Sequence, residues 1–355
     1  MSRKRNAREN LLSLLRRDGF DYVPVSFGLC PSLMDEYRRR GHTGDPGVFF
    51  MFPWRSAGQI NVKYDPDAYR KWHGSLKDGT WIDAWGVAHE PGSKEAMHMT
   101  RMRHPLSGIE DLEKIKAYPL PDFAGGTSDS AEAIKKIHAE GLAGVGHMEC
   151  TIWETAWYMR GMEDLMVDML TGSPVAEYIL DAVTERAVLR GETYAKAGVD
   201  IVYLGDDIGM QSTPLFSTDL YRKWIKPRLK RVIDAVRNVR RDTVVCYHTC
   251  GHATPFINDL IEAGVDVLNP LQPESMDAFA VINEYRGRIS FHGAVGTQRL
   301  MPFGTPDEIR RTVTELLDAT GPNGGMFPAP THLLEPEVPW ENILAYVEAC
   351  KDYKK

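Results

Sequence analysis

Short β-rich runs recur along this chain, and most are followed by a longer segment of helical period. That alternation constrains the fold more than any single motif does. The clearest runs are Val23-Pro-Val-Ser-Phe27, Ala143-Gly-Val-Gly-His-Met148, Asp200-Ile-Val-Tyr-Leu204, Thr243-Val-Val-Cys-Tyr-His248, Val265-Asp-Val-Leu268, Arg288-Ile-Ser-Phe-His292 and Gly325-Met-Phe-Pro328. The less regular stretch between residues 47 and 105 has room for an eighth. Strands that alternate with helices make parallel sheets, because each crossover helix returns the chain to the same end of the sheet. The intervening helices are legible too: Leu220, Trp224, Ile225, Leu229, Val232, Ile233 and Val236 fall at spacings of three and four between Ser217 and Val239. Gly198 and Gly264 stand where helices should stop before the next strand.

Eight strand candidates and a single composition regime predict an α/β fold, one (β/α)8 TIM barrel spanning residues 1–355, in preference to two doubly wound domains. Length alone would suggest about two domains. Residues 41–130, rich in Gly, Pro, Trp and His, read as a long N-terminal excursion or insertion over the barrel mouth. Trp54, Trp72, Trp81 and Trp85 in that stretch either line a flat apolar pocket or are plain core.

Composition narrows the partners. With 43% hydrophobic and 26% charged residues the chain can bury a large core, which excludes a disordered or collagen-like protein. A net charge of −7 argues against a nucleic-acid footprint and for a small-molecule or protein partner. The basic start Met1-Ser-Arg-Lys-Arg leads into an amphipathic pattern, Glu9-Asn-Leu-Leu-Ser-Leu-Leu-Arg-Arg17, rather than the apolar core of a signal peptide. No apolar run approaches the roughly 18 to 20 residues that span a bilayer. The expectation is a soluble cytoplasmic protein with no membrane or nucleic-acid contact. Its five cysteines are scattered and odd in number, as in a reducing compartment.

In a barrel the reactive groups come from the C-terminal ends of strands. Here those ends carry His147 and Glu149, Asp206-Asp207, His248-Thr-Cys250, Asn269-Pro-Leu-Gln272, His292 and Thr331-His332. The sharpest local signal is His248-Thr-Cys250. Residues i and i+2 of an extended strand point the same way, so an imidazole nitrogen and a thiolate can converge on one cation, and zinc tolerates that mixed pair best. The bland alternative makes Cys250 a buried small hydrophobe and His248 a satisfied core histidine. His332 or Glu149 would complete three protein ligands with one position open, the arrangement of a catalytic site. Of Asp206 and Asp207, which face opposite ways on a strand, one is an acid/base candidate and the other a helix cap. Glu149 is a further proton-handling candidate. Gln211, Asn269, Gln272 and His292 read as groups that orient a substrate, with Asn269 and Gln272 equally readable as turn stabilisers beside Pro270 and Pro273. Glycine-rich nucleotide loops, a Gly-x-Ser-x-Gly elbow and a His-Glu-x-x-His helix are all missing from the sequence.

These strand ends resemble the uroporphyrinogen decarboxylase superfamily, whose members share a (β/α)8 barrel. The resemblance rests on Asp21-Tyr-Val-Pro-Val25, Asp206-Asp-Ile-Gly-Met-Gln211, Leu220-Tyr-Arg-Lys-Trp-Ile-Lys-Pro227, His248-Thr-Cys-Gly251, Gly264-Val-Asp-Val-Leu-Asn-Pro270, Phe291-His-Gly293 and Pro336-Glu-Val-Pro-Trp-Glu-Asn-Ile343. Decarboxylases of the haem pathway carry an arginine-rich first loop for the propionates of their tetrapyrrole. Here that loop reads Val25-Ser-Phe-Gly-Leu-Cys-Pro-Ser-Leu-Met34, with no arginine before Arg38. The resemblance is closer to the zinc- and corrinoid-dependent methyltransferases, whose metal motif is His-x-Cys with a distant Cys. His248 and Cys250 match its first half, and the distant position falls near His332, which implies a His248, Cys250, His332 site.

The resemblance therefore implies zinc, a corrinoid (cobalamin) carried by a partner protein, and transfer of a methyl group between that corrinoid and a small methylated substrate, such as a methyl ether, or a thiol. Asp206, Asp207 and Glu149 would handle the proton, and a homodimer is compatible with the sequence. Two rival expectations remain: a metal-free decarboxylase of a smaller acid using Asp206 or Asp207 with His332, and a non-catalytic corrinoid or tetrapyrrole binder. Cys30, Cys150, Cys246 and Cys350 are expected to be packing residues.

Overall fold

The computed structural model describes residues 4–92, 100–124 and 128–354. Among these residues, ten strands fall in two sheets. The larger is an all-parallel, seven-stranded sheet in the order β1 (Trp54–Ser56), β5 (Ala143–Glu149), β6 (Ile201–Gly205), β7 (Val244–His248), β8 (Val267–Leu271), β9 (Ser290–Val295) and β10 (Met326–Pro330). The smaller is antiparallel, β2 (Trp81–Ile82), β3 (Ala88–Pro91) and β4 (Thr100–Arg103). Strands β6, β8, β9 and β10 are wholly buried, as strands sandwiched between core and crossover helices must be. The fold is α/β and TIM-barrel-like. No described helix is long and apolar enough to cross a membrane.

Six of the seven strand runs in the sequence form ladders, and Trp54–Ser56 supplies the one foreseen between residues 47 and 105. Val23–Phe27 is the exception. It fills the gap beside β10 without joining the sheet, tied by the Leu29–Leu334 bridge and by Tyr346, whose hydroxyl accepts from Ser26 N at 3.2 Å and donates to Pro328 O at 2.9 Å. The cause lies in β10. Gly325 O and Thr331 N bond to β9, so odd-numbered positions face β9 and even-numbered ones face Val23–Phe27. Those even positions include Pro328 and Pro330, which have no N–H to give.

The run from Ser217 to Val239 is also divided. It forms two helices, Thr218–Trp224 and Lys226–Val239, because Pro227 cannot donate back into the preceding turn and starts a new helix instead. Gly198 and Gly264 end their helices in left-handed conformations, at φ 89° and 108°.

Residues 41–130 include β1 of the main sheet and all three strands of the small one; 93–99 and 125–127 of that stretch lie outside the described residues. The first helix, Ala7–Arg16, opens on a capping box between Asn6 and Glu9. It buries Leu11, Leu14 and Leu15 under the floor of the barrel, where Gly325 N donates to Leu14 O.

Candidate metal centre at the barrel mouth

β7 ends at His248, and the chain stays extended long enough for Cys250 to point the same way. His248 Nε2 and Cys250 Sγ are 3.5 Å apart, and Asp207 Oδ1 is 3.8 Å from the same nitrogen. One donor atom from each residue lies within 4.8 Å of the other two. Asp207 is held in place by the backbone it faces, its Oδ1 accepting from Cys250 N at 2.7 Å. The two loops interlock: Gly251, at φ +82°, lies so close to Gly209 that a Cβ on it would stand 2.6 Å from the Gly209 carbonyl carbon.

Asn269, near the middle of β8, fixes the imidazole. Its Oδ1 accepts from His248 Nδ1 at 2.7 Å, so the proton sits on Nδ1 and the Nε2 lone pair faces Cys250 and Asp207. Its Nδ2 donates onward to Nδ1 of His292 at 2.9 Å. His292 is buried, stacked on Phe327 with centroids 4.5 Å apart. Burial, together with the neighbouring His248, lowers its pKa to about 3, so it stays neutral.

The donor set fits zinc. A tetrahedral ion with Zn–S of about 2.3 Å and Zn–N of about 2.0 Å needs an N···S separation of about 3.5 Å, the spacing His248 and Cys250 already have. Burial and the carboxylates of Asp207 and Glu154 push the Cys250 thiol up to about 12. A cation among these groups would relieve that unfavourable charge and favour the thiolate.

Glu154, which no motif in the sequence singles out, completes the acidic wall. Its Oε2 accepts from Asp207 N at 3.2 Å and its Oε1 from the Tyr158 hydroxyl at 2.8 Å. Burial, reinforced by Asp207, raises its pKa. It comes from the first turn of the helix Trp153–Arg160, just beyond the loop after β5. That place in the first helical turn after a strand end is the one sequence signal that could have found it.

The structure brings Asp207, His248, Cys250, Asn269 and His292 together and disposes the other candidates differently. Asp206 is a correction: it is fully buried and turned from the mouth, accepting from Ile152 N and Glu154 N at the start of the Trp153–Arg160 helix, so its carboxylate caps a helix rather than meeting substrate. Glu149 reaches the mouth paired with His147 Nδ1 at 3.0 Å; burial pushes its carboxyl up, but the hydrogen bond and charge of His147 outweigh that and hold it below its ordinary value. Gln272 is buried and accepts from Gly251 N at 2.8 Å, bracing the turn after Cys250. Gln211 pairs with Gln298 through two hydrogen bonds of 3.2 and 3.1 Å at the rim. His332 is exposed on the same mouth and stands outside the three-residue cluster. Asp207, His248, Asn269, His292, Glu149 and His332, with Trp54, Tyr203 and Phe27, line a cavity of about 590 Å³.

A TIM-like barrel with a convergent nitrogen, sulfur and oxygen donor set at its C-terminal mouth defines a class of protein, and comparison supplies the family. The sequence model of the uroporphyrinogen decarboxylase (URO-D) family matches residues 83–353, and the chain belongs to that family. It is 23% identical over 256 residues to a methylcobamide:CoM methyltransferase MtbA of Methanosarcina acetivorans, covering 71% of each chain. The same percentages hold over 259 residues for the MtbA of Methanosarcina mazei. A methylated-thiol–coenzyme M methyltransferase of Methanosarcina mazei is 24% identical over 201 residues, 56% of this chain and 50% of that protein. Among solved structures, a methyltransferase from Methanosarcina mazei superposes with a TM-score of 0.67 over 98% of both chains at 23% identity, which establishes the shared fold.

Proposed function

We propose that this chain is a zinc-dependent methyltransferase that moves a methyl group between a small substrate, a methylated donor or a thiol, and a corrinoid held by a partner protein. The observation that carries the reading is the convergence of His248 Nε2, Cys250 Sγ and Asp207 Oδ1, with the histidine tautomer fixed by Asn269. The names of the similar proteins support methyl transfer as the reaction class. In this reading residues 1–355 act as one barrel domain, and the partner docks at the mouth over residues 41–130.

His248, Cys250 and Asp207 would hold the ion and leave one position for substrate; His332 and Glu149 remain candidates to approach from the rim. Zinc bound there supplies Lewis acidity, polarising a substrate oxygen or lowering the pKa of a substrate thiol. The protein's own groups do the rest. Asn269 keeps the Nε2 lone pair aimed at the ion, and Cys250 N keeps Asp207 from swinging away. Glu154 Oε2 and Glu149 are placed to hold or release the proton of a thiol or alcohol. Trp54, Phe27 and Tyr203 exclude water from the walls.

The test is a spectroscopic screen for methylation of cobalt(I) cobalamin against candidate methyl donors, run beside metal analysis of the purified protein. Stoichiometric zinc, and turnover lost on Cys250→Ala, are the expected results. A protein without stoichiometric zinc, whose turnover is indifferent to Cys250→Ala, would overturn the proposal.

A further inference from the structure

Beside the metal centre lies a second chamber of about 510 Å³, bounded by the segment after β1, the helix Pro174–Ala197 and the end of β5. The two cavities share His147, Glu149 and Cys150, so they meet at the mouth. The chamber has flat apolar walls in Trp85 and Phe123, with Ile60 and Val62 at its edge. It also contains Arg190.

The charge balance of this chamber is uneven. Its carboxylates are answered: Asp83 accepts from Trp85 N, Val87 N and His89 Nε2 at 2.8, 3.0 and 3.0 Å, and Glu149 is paired with His147. Arg190 is not. Among the described residues no carboxylate pairs with its guanidinium, whose one hydrogen bond is a long 3.5 Å contact from Nη2 to His147 O. The guanidinium carbon stands 5.4 Å from the Phe123 ring centre, so one face is supported by the aromatic ring while the N–H edge stays available. A half-buried guanidinium with most of its five donors unused by the protein offers them to an anion that enters the chamber.

We infer that Arg190 binds the anionic end, a carboxylate, of a small aromatic ligand that lies against Trp85 and Phe123 and points its other end toward His248, Cys250 and Asp207. That the far end is the one that exchanges a methyl group rests on the methyl-transfer reading; that the near end is an aromatic anion does not.

Calorimetric titration of the full chain with benzoate, benzamide and ethanesulfonate tests this site without any turnover. Benzoate should bind about tenfold or more tightly than its neutral isostere benzamide, as charge-assisted bidentate pairing requires. Arg190→Gln should erase that preference at unchanged zinc content, and Arg190→Lys, which keeps the charge but loses the fork and is the milder change for folding, should retain part of it. Benzoate and benzamide binding alike, no binding of benzoate, or a preference for ethanesulfonate over benzoate would overturn the inference. Charge-dependent binding by a protein that methylates no cobalamin would support this site while overturning the methyl-transfer reading.

Discussion

The two ends of the barrel treat charge in opposite ways. At the floor, Asp200 below β6 accepts from Arg8 at 2.7 and 3.0 Å, from His138 at 2.8 Å and from Gly144 N at 3.0 Å. Asp266 below β8 is likewise held by Arg237 and Val245 N. At the mouth, Asp207 and Glu154 crowd each other beside a thiol, and among the described residues no carboxylate pairs with Arg190. These floor carboxylates are matched within the chain, where Asp200 fastens the first helix and Asp266 the helix Lys226–Val239 to the strands. At the mouth the Asp207–Glu154 pair beside the thiol and the Arg190 guanidinium are left unmatched, which is sensible only if something from outside the chain completes them. Stability and function are thus separated along the barrel axis.

Four measurements would sharpen or break that separation. The largest expected effect is at the floor: Asp200→Ala strands Arg8 and His138 around a lost carboxylate and should cost about 3–5 kcal/mol in urea unfolding, while the folded fraction keeps its zinc stoichiometry. Next, at the mouth, Cys250→Ala should lower zinc affinity and turnover by at least about 100-fold, beyond the range of second-layer substitutions. Its melting temperature should stay within a few degrees of the parent, and a large loss there would erase the contrast.

Asn269→Ala should weaken zinc by about 10- to 100-fold, the range for groups that orient a metal-binding histidine; competition with a chelating dye would read it. The smallest effect is acid sensitivity. Burial tends to raise the Asp200 pKa, but Arg8, Gly144 N and His138 outweigh it and hold it below its ordinary value. A carboxyl depressed in the folded state stabilises fully above its unfolded value of about 3.9 and loses that contribution as pH falls through the folded one. The stability gap between the parent and Asp200→Asn should therefore be constant above about pH 5 and shrink below about pH 4.

Much of the architecture was legible because strand burial and helix stops are local. The period-two rule placed His248 and Cys250 on one side, and the flanking glycines marked the ends of helices at 198 and 264. Val23–Phe27 read as a strand because its own composition is that of one; the prolines that deny it a ladder lie some 300 residues away in β10, where no window on Val23 can see them. Between Asp206 and Asp207, alternation predicted one of each role without saying which, and the helix that settles it belongs to the preceding crossover. Glu154 and Arg190 carry no motif signal in the sequence for the same reason. Each is one polar residue on an ordinary helix, given meaning only by the cavity that the fold wraps around it.

The close approach of Gly209 and Gly251 has a consequence for anyone wishing to move this chemistry elsewhere. A Cβ at Gly209 would fall 2.5 Å from His252 N, so neither turn can be rebuilt without the other. Grafting three side chains onto a foreign barrel would transfer the donors and lose their spacing. The heritable unit is a pair of mated turns, and an engineer would have to transplant them as one part.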